Sequence, residues 1–400
     1  MMKVLLVGSG GREHALAWKL SHAPSLEELH AAPGNPGIAA LGLSHPVRAE
    51  DAEGLLDLAS ALEIDLVVVG PEAPLVAGVA DRLRHLGIAV FGPSGDAARI
   101  EGSKSFAKNV MRAAGVPTAE TLSVARPPCV IKADGLAAGK GVFVCHDNEA
   151  LEAALRAVAA FGEAIVIEEL LEGEEVSVFA VCDGTRAVAL PAVQDFKRIG
   201  DGDTGPNTGG MGSYSPVAVD VESLVETIHQ PILDELAARG MPFVGALFAG
   251  VMLTPDGPRV LEFNCRFGDP ETQSLLPRLE GDLLQLLAGA ARGDAPSAAV
   301  DVSDTAAVTV VLAAGAYPAE SDAGSPIEGV DDAEAAGALV FHAGTARHGH
   351  TLVTNGGRIL NVTGTGASVA EARERAYEAC DLISFQGIQY RRDIAALAHV

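Results

Sequence analysis

The chain has 400 residues, enough for two to four domains with sizeable cores. Hydrophobic residues make up 48% and aromatics only 4%, a balance that suits an α/β enzyme with short loops. A net charge of −25 excludes a broad nucleic-acid or membrane-surface binder. It leaves room for a nucleotide ligand, because a local cluster of cations acts within a Debye length of about 8 Å.

The five cysteines (Cys129, Cys145, Cys182, Cys265 and Cys380) form no CxxC and leave an odd one over. They are expected as reduced, packed thiols in a cytoplasmic protein. No apolar run reaches 18 residues without a charge or proline, and the opening run is short and leads straight into glycines. Neither a membrane span nor a signal peptide is expected.

Residues 3–7 read as a buried strand, followed by GSGGREHALAWKL. Gly8 and Gly10 open a GxGxxG pattern whose third position is Glu13, so the dinucleotide fingerprint is incomplete. The turn at Gly10, Gly11 and Arg12 either seats a phosphate on backbone N–H groups or serves the fold alone. Further strands run into APGNPG (32–37, with Asn35), GPEAPL (70–75, with Glu72) and GPS (92–94). Strands alternating with helical segments predict a parallel, doubly wound unit over 1–102, with its ligand at the carboxyl ends of the strands.

At Ser103 the character changes. The stretch 103–115 predicts a helix with Ser103 as N-cap and Gly115 as stop, and Lys104 and Lys108 on one face. Of seven lysines, Lys104, Lys108, Lys132 and Lys140 fall between positions 104 and 140, and a fifth is Lys197. Such clustering suggests point charges for polyphosphate. Lys132 lies on a strand (129–132) leading into ADGLAAGKG. This is no P-loop, because Gly141 stands where Ser or Thr is required and a strand follows. A glycine hairpin (Gly139, Lys140, Gly141) folding over phosphates fits better, with Lys132 holding them from below and Lys108 the less certain to face them.

The strand 165–167 runs into EELLEGEEVSVF. Backbone at such a hinge can read an adenine edge, and Glu168 and Glu175 could reach the amino group and ribose; an acidic surface turn is the other reading. Residues 194–216 are glycine-dense with little periodicity, longer than a passive loop should be, and are expected to form a functional loop. The stretch 259–273, RVLEFNCRFGDPETQ, alternates as a strand, with Leu261 and Phe263 on one face and Glu262 and Asn264 on the other. A carboxylate and an amide oxygen aimed at one spot suit Mg²⁺, whose shell phosphate and water complete. Arg266, Asp269 and Glu271 follow in a Gly/Pro loop. From 305 onward a last α+β unit shows three strands and a helix with a Ser368/Glu371 capping box, but no phosphate constellation, and reads as a covering domain.

This order of lysine helix, lysine strand, glycine hairpin, Glu-rich hinge and Glu-x-Asn strand resembles the ATP-grasp superfamily. GSGGREHAL, GPNTGGMG and RFGDPETQ together resemble its phosphoribosylamine–glycine ligase family, over nearly the whole chain. One departure is Phe196, where a histidine is expected. The resemblance implies an N-terminal domain (1–102), a central ATP-grasp domain (103–300) with a mobile lid over about 118–182, and a C-terminal α+β domain (301–400). It implies ATP and Mg²⁺ (or Mn²⁺) as cofactors, glycine and 5-phosphoribosylamine as substrates, and a monomer or small homo-oligomer. Glu168, Glu169 and Leu171 would face the adenine and Glu175 the ribose. Lys104, Lys132, Gly139, Lys140 and Gly141 would take the phosphates, and Glu262 and Asn264 the metal. Lys132, Asp195 and Arg266 would carry catalysis. Substrates would meet Gly10, Gly11, Arg12, Asn35, Glu72, Asp195, Lys197, Asn207, Thr208, Gly209, Gly210, Asp269 and Glu271. A nicotinamide-dependent oxidoreductase, a bicarbonate-using ATP-grasp carboxylase and a silent nucleotide binder are the rival readings. The first leaves the lysines and Glu262/Asn264 without a purpose.

Overall fold

A computed structural model describes residues 1–137, 140–162, 164–296 and 300–398. Five parallel strands open the chain, in the order Leu43–Ser44, Leu26–Pro33, Met2–Gly8, Leu66–Val69, Ala89–Phe91. Val4 to Val7 are fully buried, as a strand covered on both faces requires. The glycine turns after Met2–Gly8, Leu26–Pro33 and Leu66–Val69 all fall at the carboxyl edge of this sheet.

The helix Lys104–Ala114 forms as its ends dictate. Ser103 Oγ accepts from Phe106 N at 3.2 Å, and Gly115 closes the helix at φ +70°. A small antiparallel sheet follows, Val142–Cys145 beside Cys129–Ala133 beside Ile165–Glu169, backed by the helix Asn148–Val158. Its core is its own: Cys129, Ile131, Ala133, Cys145, Ala154 and Val158. The strand Glu174–Asp183, which the expected lid includes, belongs elsewhere. It is a central strand of an eight-stranded antiparallel sheet.

That sheet runs Gly257–Asn264, Val244–Thr254, Glu174–Asp183, Ala187–Asp195, Gly212–Ser215, Ala306–Ala313, Arg358–Gly366, Leu339–His342. It crosses the expected boundary at 300 without a break, because Gly212–Ser215 pairs with Ala306–Ala313. The stretch 194–216, expected as a loop, instead contains a small hairpin (Arg198–Gly200 with Thr204–Asn207) and one strand of this sheet. Apolar alternation is missing there because Gly212–Ser215, buried on both faces, has Gly or Ser at three of its four positions and Tyr214 at the other. Ser368 Oγ caps Val369–Cys380 by accepting from Glu371 N at 3.2 Å, while Glu371 Oε2 accepts from Ala367 N rather than from Ser368.

Candidate active site

Glu262 and Asn264 face a polar cavity of about 300 Å³ at the end of Gly257–Asn264. Simple alternation accounts for this pair but not for Leu261. Val260 pairs with Val251 and Glu262 with Gly250, so Leu261 is an extra, unpaired residue, a β-bulge. The expectation that Leu261 shares the face of Phe263 is therefore corrected. Val260 and Phe263 enter the core, whereas Leu261 lines a second cavity of about 650 Å³ and its carbonyl accepts from Lys132 Nζ at 2.8 Å.

The second cavity is a slot walled by Val130, Val144, Leu171, Met252 and Leu261, with the Glu168–Leu171 hinge along one edge. Apolar side walls and backbone at the rim suit a planar base. Val142, Asp195, Lys197, Thr208 and Glu262 line both cavities, so the slot and the polar chamber adjoin at these five residues.

Lys104 and Lys197 line the chamber, and Lys132 and Lys197 the slot. Lys104 Nζ lies 3.4 Å from Glu262 Oε2. Burial raises the Glu262 carboxyl, but Lys104, Lys197 and Lys132 outweigh it and hold it at about 2. An ionised carboxylate beside an amide oxygen fits a divalent cation whose other ligands are phosphate and water. Lys197 pairs with Glu175 and, at 3.1 Å, with Asp195. Burial opposes its charge, yet Asp195, Glu175 and Glu262 push it well above the usual lysine range.

Lys108 and Lys132 meet on one buried carboxylate. Lys108 does not face solvent: it is buried, bonded to Thr118 Oγ1 and the Ala119 carbonyl, and its ammonium lies 2.7 Å from Glu168 Oε1. Glu168 lines the slot, with Lys132 on its other oxygen at 2.7 Å, and only 2% of the residue is exposed. Glu169 is likewise held by Arg259 at 3.0 Å and by Glu120 N. Lys140 turns away from both cavities and donates to the Pro318 carbonyl of the C-terminal unit at 3.1 Å. Gly141 lines the polar chamber and is crowded, since a Cβ there would lie 2.6 Å from Ala137 Cβ. Gly139 lies outside the described residues.

At the far end of the chamber Arg266 is gripped by Glu72 (3.2 Å) and Glu101 (3.1 Å), which raise its pKa further against burial. Asp269 is held by Arg358 at 3.4 Å and by Arg12 N at 3.3 Å; burial raises its pKa, and Arg358 and Arg12 pull it below the ordinary value. Glu271 also lines the chamber. Burial and then Asp195 push its carboxyl up to about 7, against Lys197 and Arg266. Thr208 Oγ1 donates to the Lys197 carbonyl and accepts from Gly210 N, Gly209 N donates to Tyr317 Oη, and Asn207 reaches the Val142 carbonyl at 3.4 Å.

The N-terminal turns divide. Arg12 and Glu72 line the chamber. Gly10 and Gly11 do not: Gly10 N donates to Glu13 Oε2 at 2.6 Å, and a Cβ on Gly11 would lie 2.2 Å from Asn361 Nδ2. Glu13, the residue that spoils the dinucleotide fingerprint, thus supplies its own carboxylate to the helix N-terminus. Asn35, expected to touch substrate, has its amide nitrogen committed to Ser9 and His342 carbonyls and its oxygen to Gly37 and Ile38 N–H groups. Phe196 fills the position of the expected histidine by packing on the C-terminal core, with the Arg391 guanidinium 5.0 Å over its ring.

Sequence reasoning missed Glu101, Tyr317 and Arg358. Arg358 donates to the Gly209 and Asp269 carbonyls, both at 2.7 Å, so the covering domain supplies a wall of the chamber. A lone arginine opening a strand carries no local signal.

Family models described as phosphoribosylglycinamide synthetase match most of the chain: the N domain at 2–101, the ATP-grasp (A) domain at 102–272 and the C domain at 307–397. The chain is 52% identical over 417 residues to a phosphoribosylamine–glycine ligase of Streptomyces coelicolor (99% of each chain). It is 50% identical over 414 residues to one of Mesorhizobium japonicum (98% and 97%). It superposes on the crystal structure of the Thermotoga maritima phosphoribosylamine–glycine ligase with a TM-score of 0.85 at 36% identity, covering 98% of this chain and 100% of that one. The biotin carboxylase domain of Hydrogenobacter thermophilus 2-oxoglutarate carboxylase, solved with MgADP and bicarbonate, shares the fold (TM-score 0.70, 18% identity, 97% and 92% covered).

Proposed function

The chain belongs to the phosphoribosylglycinamide synthetase family, an ATP-dependent ligase joining glycine to phosphoribosylamine in purine biosynthesis, and from that premise we propose how the two cavities divide the reaction. The observation that carries the proposal is the shared wall of Val142, Asp195, Lys197, Thr208 and Glu262. ATP lies in the slot with its base against the hinge and its terminal phosphate at that wall, and glycine lies in the chamber beyond, beside Arg266, Asp269 and Glu271.

Glycine's carboxylate is a poor electrophile, and its charge repels the phosphate it must attack. Lys104, Lys132 and Lys197 offset that repulsion in a water-poor site. Glu262 and Asn264 would hold a divalent cation, which we take as Mg²⁺, and it would neutralise charge developing on the transferred phosphate. The glycine oxygen attacks phosphorus, the bond to the ADP oxygen breaks, and glycyl phosphate forms. The amine of 5-phosphoribosylamine then attacks the acyl carbon and phosphate leaves, giving glycinamide ribonucleotide. Arg12 and Glu72, on the N-terminal turns, face this second substrate. The small sheet over 129–169 and its hairpin act as a lid, reaching the C-terminal unit through Lys140. Its purpose is to keep water from the acyl phosphate. Five buried, unbridged cysteines fit a reducing, cytoplasmic setting.

The test is ADP release with each component left out in turn. Multiple-turnover ADP formation that requires glycine, phosphoribosylamine and Mg²⁺ together, and that falls by orders of magnitude in Glu262→Gln, is expected. Release that bicarbonate supports in place of glycine would overturn the assignment.

A further inference from the structure

Six carboxylates line the polar chamber: Glu72, Glu101, Asp195, Glu262, Asp269 and Glu271. Five are engaged by cations, through Arg266 (Glu72, Glu101), Lys197 (Asp195), Lys104 (Glu262) and Arg358 (Asp269). Among the described residues, Glu271 alone of the six has no ion pair and no side-chain hydrogen bond to another residue, although it is 4% exposed. Its side chain folds back over Gly268, where a Cβ would lie 2.5 Å from Glu271 Oε2, and towards its own backbone N–H. A buried carboxylate is costly unless paired, and this one opens onto the chamber in which the amide bond forms.

The ligation step needs such a group. An amine attacks as its neutral form, and the amide nitrogen it becomes carries one proton fewer. We infer that Glu271 is the general base of this step: as the C–N bond forms and the C–O bond to phosphate breaks, phosphate leaves with the electron pair and the amine proton passes to a Glu271 oxygen. The other cavity carboxylates are poorly placed for this, since each already stabilises a cation. The charged groups facing Glu271 are Asp195, Lys197, Arg266 and Arg358; burial and Asp195 raise its pKa to about 7, where a base can both accept and release a proton near neutrality. The inference rests on the two-step reading above and adds to it a residue for the second step.

Rapid-quench single turnovers with all substrates separate the steps by timing ADP against ligated product. In wild type the two appear together. In Glu271→Gln the product should trail ADP by about 100-fold or more, the scale of general-base catalysis. The product rate in wild type should fall as pH drops through about 7 and this limb should vanish in the Gln variant. Glu271→Asp keeps a carboxylate and should restore much of the product rate and the limb, which guards against a folding defect. If Glu271→Gln slows ADP and product equally and raises the KM for glycine, Glu271 is an ammonium ligand and the inference fails. If wild type releases ADP without glycine, the two-step reading fails instead.

Discussion

Glu168 is the residue on which Lys108 and Lys132 converge, and its two oxygens hold both buried ammonium groups. Removing one partner of such a pair typically costs about 3–5 kcal/mol. Lys108→Met and Lys132→Met should therefore lower stability alike in urea titrations. Of the two, only Lys132 lines the slot in which we place ATP, so only its loss should also weaken ATP binding, by tenfold or more in calorimetric titration. Equal loss of ATP affinity would count against this division. His229 makes a second case. Both its ring nitrogens are buried without a hydrogen-bond partner among the described residues, and burial lowers its pKa from 6.5 to about 4. The folded value lies below the unfolded one, so between about pH 6.5 and 4 the unfolded chain binds the extra proton. The stability of keeping His229 neutral is whole above that window and is lost as pH falls through it. His229→Leu should gain roughly 2 kcal/mol over wild type between pH 6.5 and 5, at about 1.36 kcal/mol per unit. Parallel stability curves for the two proteins would contradict this.

At the scale of elements, the bulge at Leu261 decides what the strand Gly257–Asn264 presents. Without it, position 261 would point with Phe263 into the core; with it, Leu261 and Glu262 both serve the site. Leu261→Ala should raise the Kd for ATP several-fold with little change in Tm. Phe263→Ala, a fully buried ring, should cost about 3–5 kcal/mol of stability. The reverse pattern would show that the bulge is misplaced. A bulge leaves no mark in a run of alternating residues, which is why Glu262 and Asn264 were legible and Leu261 was not. The Ser103-capped helix was legible because its signals are local, a cap oxygen and a left-handed glycine. The strand Gly212–Ser215 was not, because nothing near it in sequence announces Ala306–Ala313 as its partner. Arg358 and Glu101 were hidden for the same reason: their meaning lies in residues more than 80 positions away.

At the scale of the molecule, one sheet joins the ATP-grasp body to the C-terminal unit. A chain ending at residue 300 would expose the edge of Gly212–Ser215, whose four residues are all buried, and lose the Arg358 wall of the chamber. Such a chain should aggregate. In calorimetry the full protein should melt its body and C-terminal unit in one transition. A separate, earlier transition of the C-terminal unit would show that the shared sheet does not couple them.

An enzyme that makes an acyl phosphate works beside an acylating agent that any free amine can intercept. Lys104, Lys132 and Lys197 are the lysines lining the two cavities, and each lies against a carboxylate: Glu262, Glu168 and Glu175. An ammonium so held has no lone pair to offer. The pairing that holds these three cations would therefore also protect the protein from glycylating itself, and leave the substrate's amine as the nucleophile in the chamber.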